Sequence, residues 1–133
     1  MEVTQEASVT CRDGVRDGYR VIQPQKTELD TNESADRFAQ AVINLLRNNG
    51  HLNYCVDLSE LASIRAKGLD CLLKIENATE RFTAAHRLSV IAPNPGIYQT
   101  LQVTKLEELF RVYRTEEDFK NSGIGSRVQK TLS

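Results

Sequence analysis

The spacing of apolar residues changes several times along the chain, and each change marks an element. Between residues 32 and 48 they recur at Ala35, Phe38, Ala39, Val42, Leu45 and Leu46. Steps of three and four place these side chains in one stripe on a helix. Asp30, Thr31 and Asn32 offer caps for its start, and Asn49-Gly50 offers a stop. A second stripe, Leu69, Leu72, Leu73, Ile75 and Phe82, predicts a helix over 67–82. Gly68 falls in its first turn, where a missing Cβ permits close backbone approach. The runs Leu52 to Leu58, Arg87 to Ile91 and Phe110 to Tyr113 are short, apolar and strand-favouring. Upstream, Ala7 to Cys11 and Tyr19 to Gln23 flank the turn signals Asp13-Gly14 and Asp17-Gly18, which predicts a hairpin. Pro24 should close its second strand. Asn94-Pro95 reads as an N-cap followed by Pro at the first helical position. A short helix, Pro95–Val103, follows, with Ile97, Tyr98 and Leu101 on one face. Thr115-Glu116-Glu117-Asp118 reads as a capping box opening a short final helix. Residues 121–133 lose periodicity and read as a mobile tail.

The predicted order is β-β-α-β-α-β-α-β-α. Strands alternating with helices argue for an α/β fold: a mixed, mostly parallel sheet of about four to five strands with about four helices packed on it. A length of 133 residues suits one domain, placed at residues 1–120, with 121–133 as a flexible tail. The composition, 40% hydrophobic and 26% charged, is neither that of a disordered chain nor that of a membrane protein. No apolar run reaches the ~18–20 residues of a membrane span. The segment Met1 to Glu6 is acidic and polar, unlike a secretory signal, so a cytoplasmic location is expected. Seventeen Lys and Arg stand against eighteen Asp and Glu. Nucleic-acid binding usually shows as a basic excess, so no nucleic-acid partner is expected.

Candidate chemistry is sparse. Cys11, Cys55 and Cys71 are odd in number, widely spaced and without a CxxC pair, which argues against a disulfide framework. Cys55 and Cys71 lie in apolar runs and read as small buried hydrophobes. His51 and His86 sit beside turns and read as surface residues; without a Cys/His cluster no metal site is expected. Glu107-Glu108 and Glu116-Glu117-Asp118 read as solvated faces rather than a positioned acid–base pair. Phosphate-loop and nucleophile-elbow motifs are absent from the sequence. No enzyme activity and no cofactor are expected.

Three stretches together resemble the STAS domain, the sulfate-transporter and anti-sigma-factor-antagonist fold. The first is Glu28-Leu29-Asp30 before the first helix. The second is Val56-Asp57-Leu58-Ser59 with Ile64 and Gly68-Leu69. The third runs from Leu101-Gln102-Val103-Thr104-Lys105-Leu106 through Phe110-Arg111-Val112-Tyr113. The resemblance spans about residues 7–120. It implies a non-enzymatic regulatory module that binds an anti-sigma factor, itself a serine kinase of the histidine-kinase-like ATPase type, in a partner-switching pathway. In that family, phosphorylation of one serine at the start of the second helix abolishes binding. The alternative is a STAS structural subunit of a larger complex, such as a stressosome-type scaffold or a lipid-transport system. A homodimer is left open.

One departure matters. The family's regulatory loop usually reads Asp-Ser-Ser-Gly or a near variant, whereas this chain has Arg65-Ala66-Lys67-Gly68. Ala66 falls where the resemblance places the phosphoacceptor and has no hydroxyl to accept a phosphoryl group. Arg65 and Lys67 exchange one negative charge for two positive ones. Two readings of these cations stay open: a drifted, solvated loop, or a basic contact surface for an acidic partner or phosphate group. Ser59 and Ser63 are hydroxyls nearby; both read first as capping or hydrogen-bonding residues, with Ser63 the better substitute acceptor. Glu28 and Asp30 read either as a helix N-terminal charge pair or as partner contacts, and Thr27 stands where the family often has Gly. The partner surface implied is thus Glu28, Asp30, Ser63, Arg65, Lys67 and Asn94.

Overall fold

The computed structural model describes residues 10–14, 19–50, 53–83 and 87–122. Its elements follow the order predicted from the pattern. They are β1 (Thr10–Gly14), β2 (Tyr19–Gln23), α1 (Asn32–Asn48), β3 (Asn53–Asp57), α2 (Ala66–Phe82), β4 (Ser89–Ile91), α3 (Pro95–Val103), β5 (Arg111–Tyr113) and α4 (Glu116–Asn121). A 3-10 turn at Leu106–Glu108, which the pattern did not predict, joins α3 to β5. Of the tail predicted over 121–133, Asn121 belongs to α4 and Ser122 closes it, because the capped turn from Thr115 runs on that far; the remainder lies outside the described residues, as do His51, His86 and residues 7–9.

The strands form a five-stranded sheet in the order β1-β2-β3-β4-β5. β1 pairs with β2 antiparallel, and the remaining neighbours pair in parallel. Parallel strands need crossover helices, and such crossovers are right-handed. Repeating a right-handed crossover in one direction along the sheet puts every connecting helix on the same face. α1, α2 and α3 accordingly share one core with Ile22, Val56 and Val90. The short α4 lies on the other face, where Phe119 packs with Tyr19, Val21, Cys55 and Ile91.

Register explains the division. Ile22, Val56, Val90 and Val112 stand opposite one another across four strands and point to the helical face. One residue away, Val21 and Cys55 pair and point to the α4 face. Side chains alternate faces with period two, so these two rows define the two layers.

Local sequence accounts for most boundaries. Thr31 caps α1 by accepting from the Ser34 amide at 3.1 Å, and Asn49 closes it. The six stripe residues of α1 are all buried. Pro24 follows the last residue of β2, as its missing N–H requires. At Gly50 an added Cβ would run into the Phe82 carbonyl, so the absence of a side chain lets the α1–β3 turn pack on the end of α2. One expectation is corrected. Asp13-Gly14 lies within β1, opposite Arg20 and Tyr19, rather than in a turn. The pairing of β1 with β2 runs through Gly14, and the second turn signal, Asp17-Gly18, lies outside the described residues.

Glu76 is the unexpected member of the core, at 9% exposure. Its carboxylate accepts from the Leu88 amide at 2.6 Å and so fixes the entry to β4. Burial pushes its pKa above the usual 4.5, Glu80 adds to the rise, and the Leu88 N–H and Arg87 oppose it. A native pKa above the unfolded one means the folded state holds its proton more tightly. Stability therefore falls as pH rises from the ordinary carboxyl range through the raised value. Glu76→Gln keeps the acceptor for Leu88 and removes the charge. Urea unfolding should show the variant gaining on wild type between pH 4 and pH 7; an unchanged difference at the two values would disprove a buried charge cost.

Candidate functional site

Parallel strands all end on one edge of the sheet, and the loops that leave those ends meet there. In this chain they are residues 24–31 after β2, 58–65 after β3, 92–94 after β4 and 114–115 after β5. Sheet pairing continues into them: the Leu58 amide donates to the Ile91 carbonyl at 2.8 Å, and the Ala92 amide donates to the Tyr113 carbonyl at 2.7 Å.

The loop 58–65 leads into the departure described above, which spans its last residue, Arg65, and the first turn of α2. Leu58, Leu61 and Ile64 are buried, and Ser59, Glu60, Ala62, Ser63 and Arg65 are exposed. Every third residue is thus an anchor, and the residues between them face solvent. Three outside contacts complete its fixation. Ser59 accepts from the Gln23 side-chain amide at 2.9 Å, and its own N–H donates to Asp57 Oδ1 at 2.9 Å. Asn94 Nδ2 donates to the Ala62 carbonyl at 3.1 Å. Gly68 packs so tightly that a Cβ would stand 2.7 Å from Ile64 Cγ1 and 3.4 Å from Leu29 Cβ. The expected close approach at Gly68 is made by the Ile64 and Leu29 side chains rather than by backbone.

α2 starts at Ala66 with Arg65 as its cap, and no side chain caps it. No acidic residue stands in its first turn. Arg65, Ala66 and Lys67 are all exposed, and among the described residues neither cation has an ion-pair partner. A helix start without cap or acid leaves backbone N–H donors open. Two cations beside those donors cost about 0.3–1 kcal/mol each when exposed, which an anion would offset.

The structure brings Ser63, Arg65, Ala66 and Lys67 into one exposed stretch and sets Asn94 beside it. Glu28 and Asp30 belong to the adjoining loop, a tight turn in which the Glu28 carboxylate accepts from the Gln25 amide at 2.9 Å. Leu29 between them is buried against Gly68, which ties that turn to the start of α2. Ser59 is turned to Gln23, away from the role of a free hydroxyl. Glu107 and Glu108 are exposed on the 3-10 turn. Cys71, one turn into α2, has its thiol pushed up to about 12, chiefly by burial. Lys74 opposes the rise, while Asp36, Asp70 and Glu28 add to it. It is no nucleophile at neutral pH. Among the described residues no group of three or more His, Cys, Asp or Glu could hold a metal ion. No described helix is long and apolar enough to cross a membrane.

Sequence reasoning saw Asn94 as a cap and missed its second bond. Its Oδ1 accepts from Gly96 and Ile97 amides at 2.8 and 3.3 Å while Nδ2 holds Ala62. Both polar atoms are in use, so Asn94 couples the start of α3 to the 58–65 loop. Only a contact between residues 32 positions apart could show this. Asn94→Ala removes the cap and the tether together and should lower stability by about 1–2 kcal/mol. Amide exchange should quicken in residues 59–65 as well as in α3. Asn94→Asp keeps the cap but not the Ala62 bond, so exchange confined to α3 in both variants would refute the coupling.

Comparison with known proteins bears on the fold. No family model and no curated protein matches the chain. Solved structures do. The protein TM1081 is similar in its NMR structure at 21% identity, with a TM-score of 0.69 over 84% of this chain and 85% of that one. Its crystal structure, of a candidate anti-sigma factor antagonist from Thermotoga maritima, is similar at 17% identity and a TM-score of 0.70, covering 88% and 95%. An anti-sigma factor antagonist from Mycobacterium paratuberculosis is similar at 22% identity and a TM-score of 0.63, covering 83% and 87%. At these identities the likeness establishes architecture, and the architecture of this chain is the STAS-domain fold.

Proposed function

We propose that this chain is a regulatory protein-interaction module of the anti-sigma-factor-antagonist kind, and that it meets its partner through the loop edge around the start of α2. The observation that carries this is the loop itself. Leu58, Leu61 and Ile64 hold it in one shape, and it presents Ser63, Arg65, Ala66 and Lys67 outward from the helix start. A fixed loop meets a partner without a large ordering cost. The similar solved structures, described as anti-sigma factor antagonists, support the same reading.

The partner class follows from the resemblance: an anti-sigma factor that is also a serine kinase of the histidine-kinase-like ATPase type, met in the cytoplasm. Glu28, Asp30, Ser63, Arg65, Lys67 and Asn94 form the proposed surface. Asn94 acts there through the loop it holds. The module is not an enzyme in this reading, and it takes no cofactor.

Ala66 sets the mode of regulation. A phosphoserine at this helix start would add about −1.5 to −2 charges. Ala66 has no hydroxyl, so the partner's kinase activity has no acceptor at the usual position. The module then stays in its binding form, and Arg65 and Lys67 offer charge to an acidic partner surface. The alternative, a structural subunit of a larger assembly, would call for exposed apolar surface. Among the described residues Val103 and Leu109 are the exposed large apolar side chains, and no further observation favours that reading.

The test uses the full chain as bait for its host's anti-sigma factors, compared with Ala66→Asp and Ala66→Ser. A charge placed at position 66 should weaken partner capture at least about tenfold, an energy near 1.4 kcal/mol. With kinase and ATP, Ala66→Ser should gain one phosphate while wild type gains none. Undiminished capture by Ala66→Asp would remove the loop from the interface. Phosphate on residues 59–67 of wild type would overturn the unswitched mode.

A further inference from the structure

α1 and α2 run side by side, and near their carboxyl ends they leave a groove of about 360 Å³. This lies at the small end of the ~300–1,000 Å³ range of small-molecule sites. α2 has 17 residues, so at about 1.5 Å per residue its last residue, Phe82, is about 24 Å from Ala66. The groove is therefore separate from the loop edge.

Its lining has a division of labour. Ile43 and the half-buried Phe82 supply apolar surface, and Asn77 supplies an amide. Arg47 from α1 and Arg81 from α2 both reach the Phe82 ring, with guanidinium carbons 5.1 and 6.0 Å from its centroid. Two cations from different helices thus lie against one ring and line the same groove. Like charges gathered this way repel unless something neutralises them. Lys74, also on the lining, shows the contrast: its ammonium is paired with Asp36 at 3.0 Å and Asp70 at 3.4 Å. Among the described residues, Arg47 and Arg81 have no carboxylate partner, and no carboxylate lines the groove.

Each arginine stands in the last turn of its helix, where a cation favours the negative end of the dipole. That effect amounts to about half a charge per helix, and among the described residues the guanidinium N–H groups donate no hydrogen bond. Guanidinium forks match the oxygens of a phosphate in a bidentate way. Two forks beside an aromatic ring and an aliphatic wall suit a dianionic head on a small apolar body.

We propose that this groove binds a small organic phosphate, with the phosphate held by Arg47 and Arg81 and the organic part lying against Phe82 and Ile43. The proposal is independent of the partner surface above.

Phenyl phosphate is a suitable probe, followed by ¹⁵N-resolved amide shifts on the full chain, with inorganic phosphate and phenol as separate arms. Saturable shifts should fall in residues 40–47 and 74–82. Phenyl phosphate should bind about tenfold or more tightly than either fragment, because both halves of the site are used. The double variant Arg47→Gln/Arg81→Gln, whose fold the same spectra verify, should lose binding at least tenfold. Arg47→Lys/Arg81→Lys keeps the charge without the forks and should bind several-fold more weakly than wild type. No saturable shift at about 10 mM probe, shifts centred on residues 62–68, or equal binding by the double Gln variant would each overturn the assignment.

Discussion

A single row of side chains sets this structure. Ile22, Val56, Val90 and Val112 stand level across four parallel strands and turn to the same face. If β3 slipped by one residue, Cys55 would replace Val56 beneath the helices, and the core would lose apolar volume at its centre. The row also brings the strand ends level. The Leu58 and Ala92 amides can then continue the pairing past the strands, and the loops start from fixed points. The loop edge is thus a consequence of the same register that builds the core.

From that edge the loop around residues 58–65 gains its shape by burying every third residue. What it shows to solvent is then free to vary. Among the described residues the exposed side chains of Arg65, Ala66 and Lys67 enter no hydrogen bond or ion pair, whereas Gly68 and Leu29 interlock and allow little change. This contrast explains how a chain can keep the STAS architecture while the charge shown to solvent at the start of α2 varies. The architecture depends on the anchors, and the residues between them are free of that constraint.

Legibility in the sequence followed the length of the pattern. α1 and α2 were readable because each repeats its stripe over 17 residues. β2 and β3 were readable from β-favouring runs closed by Pro24 and Asp57. The hairpin was harder, since two Asp-Gly pairs competed for one turn and the pairing assigned Asp13-Gly14 to the strand. The 3-10 turn was missed because a three-residue element is too short to show a period. Glu76 left a trace, a charged residue inside the apolar stripe of α2, but its partner Leu88 lies on another element.

The sequence by itself determined the order of elements, the two amphipathic helices, the caps at Thr31, Asn94 and Thr115, and the lack of a hydroxyl at position 66. These are local properties, set by neighbours three or four residues away. Tertiary structure alone decided that Asn94 holds Ala62, that Leu29 locks onto Gly68, and that Arg47 reaches the Phe82 ring of the neighbouring helix. Each joins residues far apart in the chain, and no local pattern encodes a distance that exists only once the sheet has brought its strand ends and helices together.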